Sequence, residues 1–188
     1  MSISVAGRWS AFAVSLVGVA YGVALIVGFT TRGLSAPIVD PLLAIMEVLT
    51  VIAALLLLVM MAAIHARASD HRKLAGAVAF AFMILATGTT SVVHFVELTA
   101  RRQIGVASLV WPSPLYAVEL LAWDVFLGLS LVFAALAFEN TGRERQVRRG
   151  ILVCGMLCLF AVLGPTVGSM RLQLVGDVEF RQPQHAVS

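Results

Sequence analysis

The chain has 188 residues, 60% of them hydrophobic and 12% charged, with a formal net charge of +3. A soluble domain carries about 25% charged residues, so water is not the main solvent here. The basic residues lie in short stretches between apolar runs, which is a membrane-topology pattern and gives no reason to propose nucleic acid as a partner.

The first apolar run follows Arg8 and extends from about Ala11 to Phe29. At about 19 residues it exceeds the apolar core of a signal peptide, and no A-x-A cleavage site follows it. It is read as a spanning helix over Ser10–Phe29. Four more segments reach the roughly 20 residues needed to cross the hydrocarbon: Pro41–Ile64, Leu74–Leu98, Pro114–Phe138 and Ile151–Met170. Pro41 stands suitably in a first turn. The expected fold is all-α, a polytopic transmembrane bundle of about five spanning helices. It forms one domain over 1–170, followed by a polar tail over 171–188.

Counting Lys and Arg sets the expected orientation. With the N-terminus inside, the inner face holds Arg8, Arg67, Arg72, Lys73, Arg143, Arg145, Arg148 and Arg149. The outer face holds Arg32, Arg101, Arg102, Arg171 and Arg181. This favours N-terminus inside and C-terminus outside, with Trp111 and Tyr116 at the outer aromatic belt.

Gly18-x-x-x-Gly22 and Gly164-x-x-x-Gly168 are close-packing signatures. Packing within one bundle is the expectation, with a homo-oligomer face as the alternative. Cys154 and Cys158 lie four apart on one helical face and read as buried, small apolar groups.

Glu47, His94, Glu97, Glu119 and Asp124 all fall inside apolar segments. Each costs roughly 2.5–3.5 kcal/mol to insert, so each is a functional-site candidate. Helix rise places Glu47 about 9 Å below Pro41, and Glu119 and Asp124 about 8 and 15 Å below Pro114. His94 and Glu97 approach the same side from segment three, so all five share the outer half. Thr90, His94, Glu97 and Arg101 follow one helical stripe, as do Tyr116, Glu119 and Trp123, and Leu43, Glu47 and Thr50. Three such stripes could line one cavity. Asp124 departs from this pattern, lying about 140° around the helix from Glu119, and is expected to face segment one near Tyr21.

Plainer readings exist for some of these. Glu97 and Arg101 suit an i,i+4 ion pair. Glu119 could pair with Arg101 or Arg102. The hydroxyl run Thr87-Gly88-Thr89-Thr90-Ser91 could bond back to its own helix. No HExxH, Walker loop, GxSxG or CxxC motif is present, and the carboxylate and histidine spacing is not diagnostic of a metal, so neither a metal nor a cofactor is expected.

Two stretches carry a resemblance: Ser91-Val-Val-His-Phe-Val-Glu-Leu-Thr-Ala-Arg-Arg-Gln103 and Pro114-Leu-Tyr-Ala-Val-Glu-Leu-Leu-Ala-Trp-Asp-Val-Phe-Leu-Gly-Leu-Ser130. Together they resemble an uncharacterised group of small polytopic prokaryotic integral membrane proteins. The resemblance implies a helical bundle in a prokaryotic plasma membrane and supplies no activity.

The residues themselves suggest a pocket for a lipid-like or isoprenoid-like small molecule. An apolar pocket favours the neutral form of a carboxyl group, which can then act as a general acid near neutral pH. Asp124 or Glu119 is the candidate acid and His94 or Glu47 the candidate base. Trp123, Tyr116 and Trp111 offer π faces to a developing cation, and Glu97 and Thr90 complete the expected substrate contacts. Such parts suit double-bond isomerisation or cyclisation. The alternatives are a small proton-coupled transporter or channel, or a non-catalytic membrane partner subunit.

Overall fold

The computed structural model describes residues 3–33, 38–104 and 113–167. Among the described residues there is no strand, and five helices are long and apolar enough to cross a membrane. They are α1 (Ile3–Arg32), α2 (Leu42–Arg67), α3 (the continuous helical span Asp70–Arg101), α4 (Pro114–Ala137) and α5 (Gly142–Thr166). The tail over 171–188 and Trp111 lie outside the described residues.

Local chemistry sets the helix ends. Ser113 caps α4: its Oγ accepts from the Tyr116 backbone N–H at 3.1 Å, and Pro114 fills the first helical position, where no N–H is needed. At its C-terminal end, α2 stops where Ala68 turns extended, and a 3-10 turn over Asp70–Arg72 leads into α3. Several boundaries differ from the sequence expectation, among them the start of α1, at Ile3 rather than Ser10. His65 falls within α2, its ring stacked on Phe80. Helix α5 begins at Gly142 rather than Ile151, so Arg143, Arg145, Arg148 and Arg149 sit on its first turns. Hydropathy misses that stretch because it is polar, although Arg, Glu and Gln are good helix formers. The Glu144 carboxylate also accepts the Glu139 backbone N–H at 2.8 Å, which anchors this start.

Each helix packs on the next in chain order: α1 on α2, α2 on α3, α3 on α4 and α4 on α5. The central pair, α3 and α4, is the most buried; α2 and α5 pack against it, and α1 lies outside α2. The core combines small and flexible side chains, with Met61, Met83, Ala79, Ala86 and Ala134 enclosed by Leu57, Phe80, Phe126 and Leu131. Hydroxyl groups cross between helices at mid-bundle. Ser130 Oγ donates to the Ala79 carbonyl at 2.8 Å, and Thr87 Oγ1 donates to the Ala54 carbonyl at 3.1 Å. Thr87 therefore bonds to a neighbouring helix rather than back to its own.

Close approach at the α4–α5 contact uses a glycine outside the GxxxG patterns. A Cβ at Gly155 would stand 2.8 Å from the Gly128 carbonyl oxygen, so α4 and α5 touch backbone to backbone there. By contrast, a Cβ at Gly18 or Gly22 would meet nothing within 4 Å. Gly168 lies outside the described residues. The thiols also differ from expectation: Cys154 is exposed and Cys158 half-buried, and both are free. On α1, Trp9, Phe12, Leu16, Val19, Val23 and Ile26 point outward. An outer surface of this kind suits hydrocarbon and is unfavourable in water, in keeping with a multi-pass membrane protein.

Candidate functional site

Three helices each deliver one ionisable side chain to a common point. Glu47 stands in the second turn of α2, His94 near the C-terminal end of α3, and Glu119 in the second turn of α4. His94 Nδ1 is hydrogen-bonded to Glu47 Oε2, and its Nε2 lies 2.9 Å from Glu119 Oε1. The imidazole is thus held between two carboxylates. Glu47 and His94 are buried, and the Glu119 side chain is 14% exposed.

Trp123 extends this network. Its Nε1–H donates to Glu119 Oε1 from one turn further along α4. An indole nitrogen can only donate, so this oxygen is the acceptor, and it also faces His94. Glu119 Oε2 is buried and has no hydrogen-bond partner among the described residues. The carboxylate is therefore fixed by one oxygen and free at the other. Each nitrogen of His94 abuts a carboxylate oxygen, so a proton can be exchanged with either neighbour without rearrangement.

The three groups lie in the wall of a cavity of about 580 Å³, within the usual range for a small-molecule site. Val17, Gly18 and Tyr21 of α1 form one side, Tyr116, Glu119 and Trp123 of α4 the other, and α2 with His94 the floor. Helices α1 and α4 make no substantial contact with each other. The cavity is therefore a groove that opens sideways between them, towards the outer surface of the bundle. Tyr21, 37% exposed, stands at that opening.

Helix α4 is π-helical over Leu121–Leu127, and α3 turns π-helical over Glu97–Arg101. A π turn holds an extra residue and shifts every later side chain around the axis; such turns are frequent at functional sites. Asp124 does not line the groove, which agrees with its offset from Glu119 around the helix, and it does not stand beside Tyr21 on the α1 side. Instead it lies buried on the α5 side, within electrostatic range of Cys158 and Tyr116, and its Oδ2 has no hydrogen-bond partner among the described residues.

The other sequence candidates separate in the same way. Glu97 is fully buried, with Arg101 Nη1 3.1 Å from its Oε2, and stands apart from the groove. Arg102 pairs with Asp40 at 2.8 Å, so neither arginine is Glu119's partner. Thr90 lines a small separate void behind Trp123, together with Met83 and Thr87. Among the described residues, no group of three or more His, Cys, Asp or Glu side chains is arranged to hold a metal ion.

Sequence reasoning missed the wall supplied by α1. A signal was available: the chain has two tyrosines, and both Tyr21 and Tyr116 line the groove. Val17, Gly18 and Tyr21 also share one helical face by the three- and four-residue rule. Comparison with known proteins gives no relative, as no family model, curated protein or solved structure matches this chain.

Proposed function

We propose that this protein binds a lipid-like or isoprenoid-like small molecule in the groove between α1 and α4 and moves protons on it through Glu47, His94 and Glu119. The observation that carries this reading is the imidazole held between two carboxylates in the wall of an apolar cavity. In a double-bond isomerisation, Glu119 gives a proton to one alkene carbon and a carbocation forms. Glu47 then takes a proton from a neighbouring carbon, which closes the shifted double bond. His94 passes that proton from Glu47 back to Glu119, so the protein ends as it began. Trp123, Tyr116 and Tyr21 offer π faces to the intermediate cation. In a cyclisation the same cation is attacked by a second double bond of the substrate before the proton is lost.

The chain is read as lying in a prokaryotic plasma membrane with its N-terminus inside. Most of its Lys and Arg residues flank the end of the bundle that holds Arg8, Arg67 and Arg148. The site then lies in the outer half, and substrate enters sideways from the bilayer. A homo-oligomer would use the outward face of α1, which carries Phe12, Leu16, Val19 and Val23.

The test combines gentle extraction with mass spectrometry of the co-purifying lipid fraction, for the natural chain and for Glu119→Gln and His94→Asn. Both variants should remain folded and should lose the bound molecule or its conversion. Full retention of binding and conversion in both would remove the acid–base reading. Sealed vesicles showing solute flux driven by a pH gradient would favour a transporter instead.

A further inference from the structure

The groove has a charge character that narrows its ligand. We infer that its occupant is an amphiphile with a cationic head, such as a protonated or quaternary ammonium group on a long apolar chain. This rests on the reading above that the groove holds a lipid-like molecule, and it adds the sign of the charge at the buried end.

The argument starts with what could neutralise an anionic head. Among the described residues, no Lys or Arg lines the groove. Arg101 is engaged by Glu97 and Arg102 by Asp40. The one basic group present, His94, is already shared between Glu47 and Glu119. A carboxylate, phosphate or diphosphate entering here would meet a cluster that keeps a net negative charge whether its proton sits on Glu119 or on His94, with no cation to spare. In a medium of low dielectric that repulsion is severe.

What the groove offers instead suits a cation. The Glu119 side chain lines the groove; its Oε1 is doubly engaged, and its Oε2 lies just beneath the groove surface with no hydrogen-bond partner among the described residues. Tyr21, Tyr116 and Trp123 flank that carboxylate on the groove wall. Aromatic faces attract ammonium groups more strongly where water is excluded, and alkylated ammonium loses little hydration on entering. Val17, Leu43, Met46 and Leu49 provide apolar surface for a chain. A carboxylate amid three aromatic rings, at the head of an apolar groove, is complementary to a lipophilic ammonium ion.

The experiment uses the full chain in nanodiscs of zwitterionic lipid, with empty nanodiscs as background. Three probes share one chain and differ in head charge: dodecyltrimethylammonium, dodecanol and dodecanoate. Saturable binding of the ammonium should be at least about tenfold tighter than that of the alcohol, and dodecanoate should show none. Tyr21→Leu should weaken the ammonium severalfold and leave the alcohol unchanged, while Glu119→Gln should abolish the preference between them. Equal binding of all three probes would overturn the charge assignment and leave the groove as a lipid site. Saturable binding of none would overturn both. Because the probe series on the natural chain decides the matter alone, a poorly folding Glu119→Gln does not obscure it.

Discussion

The two ends of the bundle each bring a histidine to a carboxylate, with opposite consequences. At one end His94 sits between Glu47 and Glu119, with little solvent contact and only Trp123 as a further donor. At the other, Glu139 gathers Ser69 at 3.0 Å, Arg72 at 3.1 Å and His71 at 3.5 Å, and the His71 side chain is 67% exposed. The second cluster joins the α2–α3 turn to the end of α4, where solvent or lipid headgroups screen every charge. Exposed ion pairs of this kind contribute little. The first cluster cannot be screened, so its groups depend on one another and on whatever enters the groove. The same residue types thus form a solvent-facing tie at one end and a buried, mutually dependent cluster at the other.

Removing the histidine at each end tests this contrast most strongly. His94→Ala leaves two buried carboxylates facing each other and should cost about 3–5 kcal/mol, read as a large drop in thermal stability in detergent. His71→Ala should change stability by less than about 0.5 kcal/mol. Equal effects would erase the distinction between the two ends. A smaller effect belongs to the middle of the bundle. Ser130→Ala removes the bond from α4 to the Ala79 carbonyl and should cost about 0.6 kcal/mol, the typical value for an interhelical hydrogen bond in a membrane.

The smallest effect is a pH dependence at the exposed end. The Ser69 hydroxyl bonded to Glu139, followed by Arg72 and His71, holds its carboxyl below the usual carboxylate range. A carboxylate whose folded value is depressed stabilises the fold above its unfolded value. That stabilisation is lost as pH falls through the folded value. Acidification should therefore lower the melting temperature slightly, and Glu139→Gln should remove that component of the pH profile. A profile identical in the variant would show that Glu139 is not linked to folding.

Much of this architecture can be read from the chain, for identifiable reasons. Spanning helices announce themselves because hydrocarbon demands about 20 apolar residues in a row. Helix rise alone puts Glu47, His94 and Glu119 at similar depth, because each sits a few residues from a helix end on the same side. The 3.6-residue period sets Asp124 apart from Glu119, but which helix it faces was not legible, because periodicity names no neighbour, and the π turn over Leu121–Leu127 was not foreseen. Nor was the start of α5, where a polar helical stretch precedes the apolar one. The role of α1 was hidden for another reason. Its inward face carries Val17, Gly18 and Tyr21 in place of an ionisable group, so only the tertiary arrangement shows that it walls the groove.

The strictly sequential packing of the five helices bears on how the protein is made. Each helix finds its packing partner in the segment synthesised just before it, so most contacts are local in the chain and form quickly. The groove follows a different schedule. Once α3 has inserted beside α2, His94 can meet Glu47, but the second carboxylate arrives only with α4. During biosynthesis the histidine therefore passes from one acidic neighbour to two, and α4 is the segment that completes the cluster.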